Sequence, residues 1–495
     1  MRDDRRSGPG ERAGDDAHGR LRTLLRDRLR QRSNPVVAGG RFIVPAASVW
    51  AGARAWVAYF RELGLAEGDR VALHAAPSPA HLMVTVAAWW EGLTLCPVPA
   101  GEHEPEAVRS GGLDPTVVVT TRAGEPTPGI VRAEPAGGPP DSVGFGLGAP
   151  PDRVGRGTRG IALLLSTSGT SRAPGEPPTR VGLSYANLEH QLRTHAAALA
   201  RDEHAVSVSQ LPWHHAFGLL VDLWPALLNG SAVVVEPSGG RDAGSIARTL
   251  RDGGASHASF VPLQVRRLLR EPGGAAALRA LEGGVVGGAR VEADLAEALS
   301  GTRLRAGYGQ TETSPGICLG DPGRWHEGAI GRPVGCQIDL RDGTLSVRGP
   351  NVCAGFWTSR GFGWLDPGRW HDTGDLVEDR GGSLSFVGRA DDRFKLENGR
   401  LIDTPRVEAS LRDLRPGSVP VVCAAGERSV AAVFLDAASP PELGALRQAM
   451  GGLGPLLAGA YAWPSDGWLT PKGAPDRARL AAAIRGTAPM ERATA

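Results

Sequence analysis

The sequence predicts a mixed α/β protein, on three observations. Helical and strand patterns alternate over residues 21–123, they alternate again to about residue 310, and between about 325 and 388 short strands and turns take over. In the first stretch LRTLLRDRLRQ and VWAGARAWVAYFRELG repeat apolar residues at helical spacing. GDRVALHA is a short strand, and HLMVTVAAWWEG is a further helical run closed by Gly92. Residues 123–158 are crowded with Gly and Pro and hold little periodicity, which predicts a surface loop or a connection between units. IALLLSTSGTS reads as a strand entering a small-residue loop, and SAVVVEP and HASFVP as buried strands. QIDLRDGTLSVRGP and GSLSFVG mark the β-rich stretch. Residues 389–495 form a last region with its own strands (VPVVCAAG, SVAAVFLD) and helices. Residues 1–20 are expected to be a flexible tail.

Composition removes several function classes. A chain of 495 residues accommodates two to four units, each with a real core. The 55 Lys+Arg against 53 Asp+Glu leave a formal charge of +2, without the electrostatic footprint of a dedicated nucleic-acid binder. No apolar run approaches the ~18 residues of a membrane span. The charged start MRDDRRSGPGERAGDDAHGR lacks the apolar region of a signal peptide, so a cytoplasmic protein is expected. Cys96, Cys318, Cys336, Cys353 and Cys423 have no CxxC spacing and read as reduced thiols. Only two of the basic residues are lysines, Lys395 and Lys472. A lysine kept in so arginine-rich a chain is a candidate for a task that a bulky guanidinium does not perform; chance survival is the alternative.

Four strings carry chemistry. LLLSTSGTS, residues 163–171, delivers Thr167, Ser168, Gly169, Thr170 and Ser171 into a loop whose hydroxyls and N–H groups suit a polyphosphate. It is not the GxxxxGK[ST] loop, since neither the glycine spacing nor the lysine fits, and alone it reads equally as an ordinary turn. GYGQTET, residues 307–313, offers an aromatic face in Tyr308 for a purine, a hydroxyl in Thr311 for a phosphate and a carboxylate in Glu312 for Mg²⁺. WHDTGDLVEDRGG places Asp375 after a glycine, where its carboxylate can accept both hydroxyls of a ribose. GRADDRFKLENGRLI adds Arg389 beyond a strand end; taken alone, Asp375 and Arg389 are as readily a surface ion pair.

In their order and spacing these strings resemble the core motifs of the adenylate-forming superfamily, which includes acyl-CoA synthetases, aryl-CoA ligases, adenylation domains and luciferases. The resemblance covers roughly residues 25–485. STSGTS is similar to the family's phosphate loop, and LSYANL follows where the family has LSHxNL. LPWHHAFGLL puts His215 on the family histidine. GGA, with Gly288 and Ala289, matches the adenine-side turn. GYGQTET, with Tyr308, Gly309, Gln310, Thr311 and Glu312, matches the magnesium and AMP motif. TGD matches the ribose-binding aspartate at Asp375, and GRADDRFKLENGRLIDTPRVE the hinge segment, with Arg389 on the ribose and Asp391 at the hinge.

What the resemblance implies is a large N-terminal domain of α/β sheets with a small β-barrel-like unit, residues 21–388, and a smaller mobile α+β C-terminal domain, residues 389–495. The implied reaction joins a small carboxylic acid to ATP, with Mg²⁺, giving an acyl-adenylate; a thiol, most simply that of coenzyme A, then displaces AMP. A carrier-protein phosphopantetheine on a separate protein and a nitrogen nucleophile are the alternative acceptors. A non-catalytic nucleotide-binding homologue is the reading from another class.

Two departures stand out. Where the family continues its phosphate loop with Gly and then Pro-Lys-Gly, this chain reads SRAPGEPPTRVG, with Arg172 for the glycine and no lysine; Arg172 or Arg180 is the substitute cation on offer. The family pattern Thr-x-x-Gly-Lys-x-Asp-Arg meets Thr470, Pro471, Lys472, Gly473, Ala474, Pro475, Asp476 and Arg477, so the lysine position holds Ala474. In extended backbone, residues i and i+2 face the same side about 6.5–7 Å apart, a distance a lysine side chain spans, so Lys472 is expected to serve from two residues upstream. Lys395 is expected to be structural or associated with the hinge.

Overall fold

The structure is a computed structural model that describes residues 9–30, 35–38, 42–99, 112–121, 130–133, 158–166, 180–390, 393–397, 400–469, 475–485, 487 and 491–492. The chain divides into two compact units. One comprises Met1–Asp339, Val347–His371 and Gly381–Leu384; the other comprises Leu340–Ser346, Asp372–Arg380 and Ser385–Ala495.

In the larger unit, Arg70–His74, Thr94–Val98, Val117–Thr120 and Ile130–Arg132 pair in parallel, and Ile161–Ser166 continues the sheet beside Thr94–Val98. Between polar end residues such as Arg70, His74 and Thr94 these strands are apolar and buried rather than alternating, as expected of parallel strands covered on both faces. Arg180–Ser184 then turns antiparallel on Ile161–Ser166, and Gly355–Thr358 and Gly361–Trp364 extend the same sheet. The 325–388 stretch is indeed strands and turns, but two of its strands join this first sheet. Trp357 anchors that join, with Nε1 donating to the Gly112 carbonyl at 3.1 Å and its ring under the Arg70 guanidinium. A second sheet runs in the order His257–Ala258, Val206–Ser209, Ala232–Val235, Pro35–Ala38 and Phe42–Pro45.

The helix Pro79–Trp90 starts where Ser78 accepts from the His81 N–H and Pro79 presets the first turn. It stops at Gly92, whose φ of 75° suits a residue without Cβ. Because it is apolar all round, it lies in the core, with Trp89 5.0 Å from Trp224 between ring centroids. The helix Tyr185–Ala198 is fixed by a capping box between Ser184 and Asn187. The helix Pro9–Arg30 takes in residues 9–20 of the stretch expected to be a flexible tail. Ala17 is buried, and His18 Nε2 lies 2.7 Å from the Trp89 carbonyl oxygen. Its repeat of Leu21, Leu25 and Leu29 at four-residue spacing supplies the apolar face that holds it.

In the smaller unit, Val419–Gly426, Ser429–Leu435, Leu457–Trp463 and Glu491–Arg492 form one mixed sheet. Helices Thr404–Leu411 and Arg477–Ile484 are capped by Asp403 and Asp476. Arg477 reaches Glu408 through both terminal guanidinium nitrogens, Nη1 and Nη2, 2.7 Å at the longer contact, and Glu408 also accepts from the Val422 N–H. Among the described residues no helix is long and apolar enough to cross a membrane. The five cysteines are free thiols. Burial pushes Cys96, Cys353 and Cys423 up to about 12 and Cys336 to about 11, so they stay protonated and inert.

Candidate active site

Val285–Gly287 and its parallel neighbour Arg305–Tyr308 end side by side, and two of the motifs begin at their carboxyl ends. Ligands bind at that edge of an open α/β sheet. Gly288 there has a φ of 83°, and a Cβ on it would meet Val261 Cγ1 at 3.5 Å and Phe217 Cδ1 at 3.8 Å. The turn of Gly288 and Ala289 therefore passes over an apolar surface.

After Tyr308 the chain reverses. Gly309 has no room for a side chain, since a Cβ would stand 1.4 Å from the Pro315 carbonyl oxygen. The Ile317 N–H bonds back to the Tyr308 carbonyl at 2.9 Å, and the Gln310 N–H donates to Thr313 Oγ1 at 3.0 Å. Ser314 adopts a left-handed φ of 61°, with Oγ donating to the Asn351 carbonyl at 2.7 Å. Thr313 and Ser314 are buried as supports, while Tyr308, Gln310, Thr311 and Glu312 stay half-buried and accessible. The string thus presents an aromatic face, an amide, a hydroxyl and a carboxylate on a braced turn. His371 Nε2 lies 3.1 Å from Gln310 Oε1; apart from its place in WHDTGD, nothing in the chain singles out this histidine.

In the smaller unit, Asp375 and Arg389 come together. The buried Asp375 carboxylate accepts from Arg389 Nη1 at 2.8 Å, and Arg389 also donates to the Thr373 carbonyl at 3.2 Å. The Asp375 N–H donates to Thr373 Oγ1, which itself donates to the Leu345 carbonyl. Gly374, at φ 67°, keeps the space beside the guanidinium open, since a Cβ would meet Arg389 Nη2 at 3.2 Å.

His215 is exposed at the start of a π-helical turn, Phe217–Leu223. Its neighbour His214, 4.3 Å away between ring centroids, has its pKa lowered to about 3 by burial and then by His215 and Arg241. His81 is fully buried edge-on to Trp213, its pKa also lowered to about 3, by burial first and by His214 second. Both imidazoles are therefore neutral at physiological pH. Sequence reasoning passed over them, because neither burial nor this proximity can be read from HLMV or WHH.

Thr167, Ser168, Gly169, Thr170 and Ser171, with Arg172, Asp391 and Lys472, lie outside the described residues. Arg180 heads the strand Arg180–Ser184, in register with Trp357. A surface groove of about 280 Å³ lined by Trp50, Val57, Val86 and Trp90 shares no residue with the motifs. Among the described residues no three His, Cys, Asp or Glu side chains cluster as a self-sufficient metal site. A single accessible carboxylate, Glu312, suits Mg²⁺ instead, which takes one or two carboxylates and completes its shell with substrate phosphates and water.

The family model described as AMP-binding enzyme matches residues 46–357. The chain belongs to the AMP-binding enzyme family. Its match to a protein of Salinispora arenicola described as a probable non-canonical nonribosomal peptide synthetase, CymA, is 31% identical over 277 residues, half of this chain and 3% of that much longer protein. A protein of Mycobacterium tuberculosis described as a probable 2-succinylbenzoate–CoA ligase is 29% identical over 308 residues, 58% of this chain and 74% of the relative. ATP-bound MatB from Rhodopseudomonas palustris shares the fold with a TM-score of 0.73 and 21% identity, covering 94% of this chain and 98% of that one. The anthranilate CoA ligase AuaEII in complex with anthranoyl-AMP shares it with a TM-score of 0.72 and 17% identity, covering 94% and 97%. The family, the mixed α/β fold and the AMP-forming ligase class expected of this AMP-binding enzyme hold.

Proposed function

We propose that this AMP-binding enzyme uses ATP and Mg²⁺ to activate a small carboxylic acid and passes the acyl group to the thiol of coenzyme A. The observation that carries the reading is the braced GYGQTET turn, which holds Tyr308, Thr311 and Glu312 accessible in one short span. A carboxylate oxygen attacks the α-phosphorus of ATP, and the bond to the bridging oxygen breaks with its electron pair leaving on pyrophosphate. The thiolate then attacks the acyl carbon and AMP departs. Both partners of the first step are anions, so catalysis consists of positioning and charge compensation. Gly288, Ala289 and Tyr308 take the adenine, Gly309 and Gln310 shape the turn, and Thr311 bonds a phosphate oxygen. Thr167, Ser168, Gly169, Thr170 and Ser171 cover the outer phosphates. Glu312 would hold Mg²⁺, which when bound would supply positive charge against the phosphates. Asp375 accepts from the ribose hydroxyls with Arg389 beside it, Lys472 reaches the reacting carboxylate, and His215 borders the acid. Residues 389–495 act as the small mobile domain turning at Asp391, against residues 21–388. Reliance on ATP and coenzyme A supports a cytoplasmic location.

The second reading, transfer to a separate carrier protein or to an amine, is favoured by the likeness to CymA and to phenyloxazoline synthase MbtB of Mycobacterium sp.. Mass spectrometry of products from an acid library with ATP and Mg²⁺, with and without coenzyme A, tests both. A thioester supports the first reading, and turnover only with an amine or a carrier supports the second. If no acid elicits AMP formation and Glu312→Ala leaves nucleotide affinity unchanged, the chain is a non-catalytic binder.

A further inference from the structure

The helix Tyr185–Ala198 carries Gln191 and His195 one turn apart, with Ala198 and Leu199 a turn further along the same face. Gln191 is completely buried, and neither its amide oxygen nor its amide nitrogen has a hydrogen-bond partner. Such a group costs stability unless something meets it, and a bound ligand is one group that can. Its surroundings name the place. A Cβ on Gly316 would stand 1.9 Å from His195 Nε2 and 3.0 Å from Gln191 Nε2, so both side chains press on that stretch of backbone. Gly316 follows GYGQTETSP directly, and the next residue bonds back to Tyr308. Asn351 brackets the same backbone, Nδ2 donating to the Gly316 carbonyl at 2.9 Å while its buried Oδ1 has no partner.

Further along the helix face the character turns apolar. Leu199 and Ala198 pack with Val221 and Phe217 of the π-helical turn and with Val285 and Leu319. Phe217 in turn lies under the Gly288 turn. Apolar packing thus links the Gly288 turn, through Phe217 and Val221, to the end of the helix that carries Gln191 and His195.

We infer that Gln191 and His195 are specificity-determining residues that read an uncharged hydrogen-bonding group, a hydroxyl, keto or amide, at the end of the acid remote from its reacting carboxylate. This rests on the adenylation reading above. The Gln191 amide offers two donors and an acceptor. The imidazole of His195 is neutral, because burial lowers its pKa to about 4. The nearest carboxylate on the helix, Glu189, is turned to Arg20 and Arg193 and is no part of this group. Gln191, His195 and Asn351 include no cation, so a second carboxylate would be desolvated without a counterion. A plain alkyl end would leave Gln191 unpaired, the situation in which a polar site rejects a substrate most strongly.

The test is ATP–pyrophosphate exchange by the full chain with acids matched in size, ending in a hydroxyl or amide, in a methyl, or in a carboxylate. The wild type is expected to favour the uncharged polar end at least tenfold in kcat/KM. Gln191→Leu and Gln191→Met are expected to bring the polar-to-methyl ratio near one, through the KM of the polar acid, with the KM for ATP unchanged. A wild type without preference, or variants that lower both acids equally, overturns the inference while leaving adenylation standing. Absence of exchange with every acid overturns the adenylation reading and this inference with it.

Discussion

Gly309→Ala places the reasoning about the GYGQTET turn at greatest risk. The new Cβ would stand 1.4 Å from the Pro315 carbonyl oxygen and 2.4 Å from its carbon, where real Cβ atoms keep at least 3.0 Å. The neighbour is backbone, so no rotamer change relieves the clash, and the two arms of the turn must separate by roughly 1.6 Å. That separation breaks the bond from the Ile317 N–H to Tyr308 and loosens the Gln310–Thr313 cap. Overpacking of this kind costs about 1–3 kcal/mol and each lost hydrogen bond about 1 kcal/mol. A total near 3 kcal/mol, expressed at Tyr308, Thr311 and Glu312, corresponds to a loss of about a hundredfold in rate. Exchange of labelled pyrophosphate into ATP reads this directly, with thermal unfolding alongside. Gly444→Ala is the control: it sits in a helix with nothing within 4 Å of the new Cβ, and is expected to be neutral or slightly stabilising. If Gly309→Ala keeps exchange within threefold of wild type, the turn is not the braced platform described above.

Other expectations are as direct. Lys472→Ala is expected to slow pyrophosphate release more than threefold, about 0.65 kcal/mol, and a smaller change retires its role in compensating for Ala474. Arg389→Ala removes the guanidinium beside the buried Asp375 carboxylate; AMP affinity measured by calorimetry is expected to fall about tenfold, the exposed side of the guanidinium limiting the effect. His81 is held neutral, its pKa depressed to about 3 by burial, so the unfolded chain takes up protons that the native one refuses as pH falls below 6.5. Stability is therefore expected to decline from pH 6.5 downward, and His81→Leu to flatten that decline in urea titrations at pH 7.5 and 5.0. An unchanged slope contradicts the assigned burial. Ser184→Ala removes one side of the capping box and is expected to cost about 1 kcal/mol of stability with no change in the KM for ATP.

Some of this protein is written in contiguous residues. GYGQTET, TGD and GRADD, in their order, carry the resemblance to the AMP-binding family in contiguous residues, because glycine-dependent turns and the side chains they carry are local properties of the backbone. Several of the parallel strands were legible for the same reason, as short apolar runs between helical patterns, but Ile130–Arg132 pairs with Val117–Thr120 inside the Gly- and Pro-rich stretch that reads as a loop. The sequence likewise determined where Pro79–Trp90 starts and stops, through Ser78, Pro79 and Gly92. Tertiary structure decided what depends on partners far apart in the chain. Gly355–Trp364 joined the sheet of Arg180–Ser184, because strand pairing is chosen by neighbours and not by the texture of a segment. The apolar face of Pro9–Arg30, with Leu21, Leu25 and Leu29, found its place only in the core of the larger unit. Gln191, which looks like any polar residue on an exposed helix, became a buried unpaired amide because Gly316, more than a hundred residues later, leaves room for it. Local conformation follows from a few neighbouring residues, whereas burial and pairing are set by packing, and packing belongs to the whole chain.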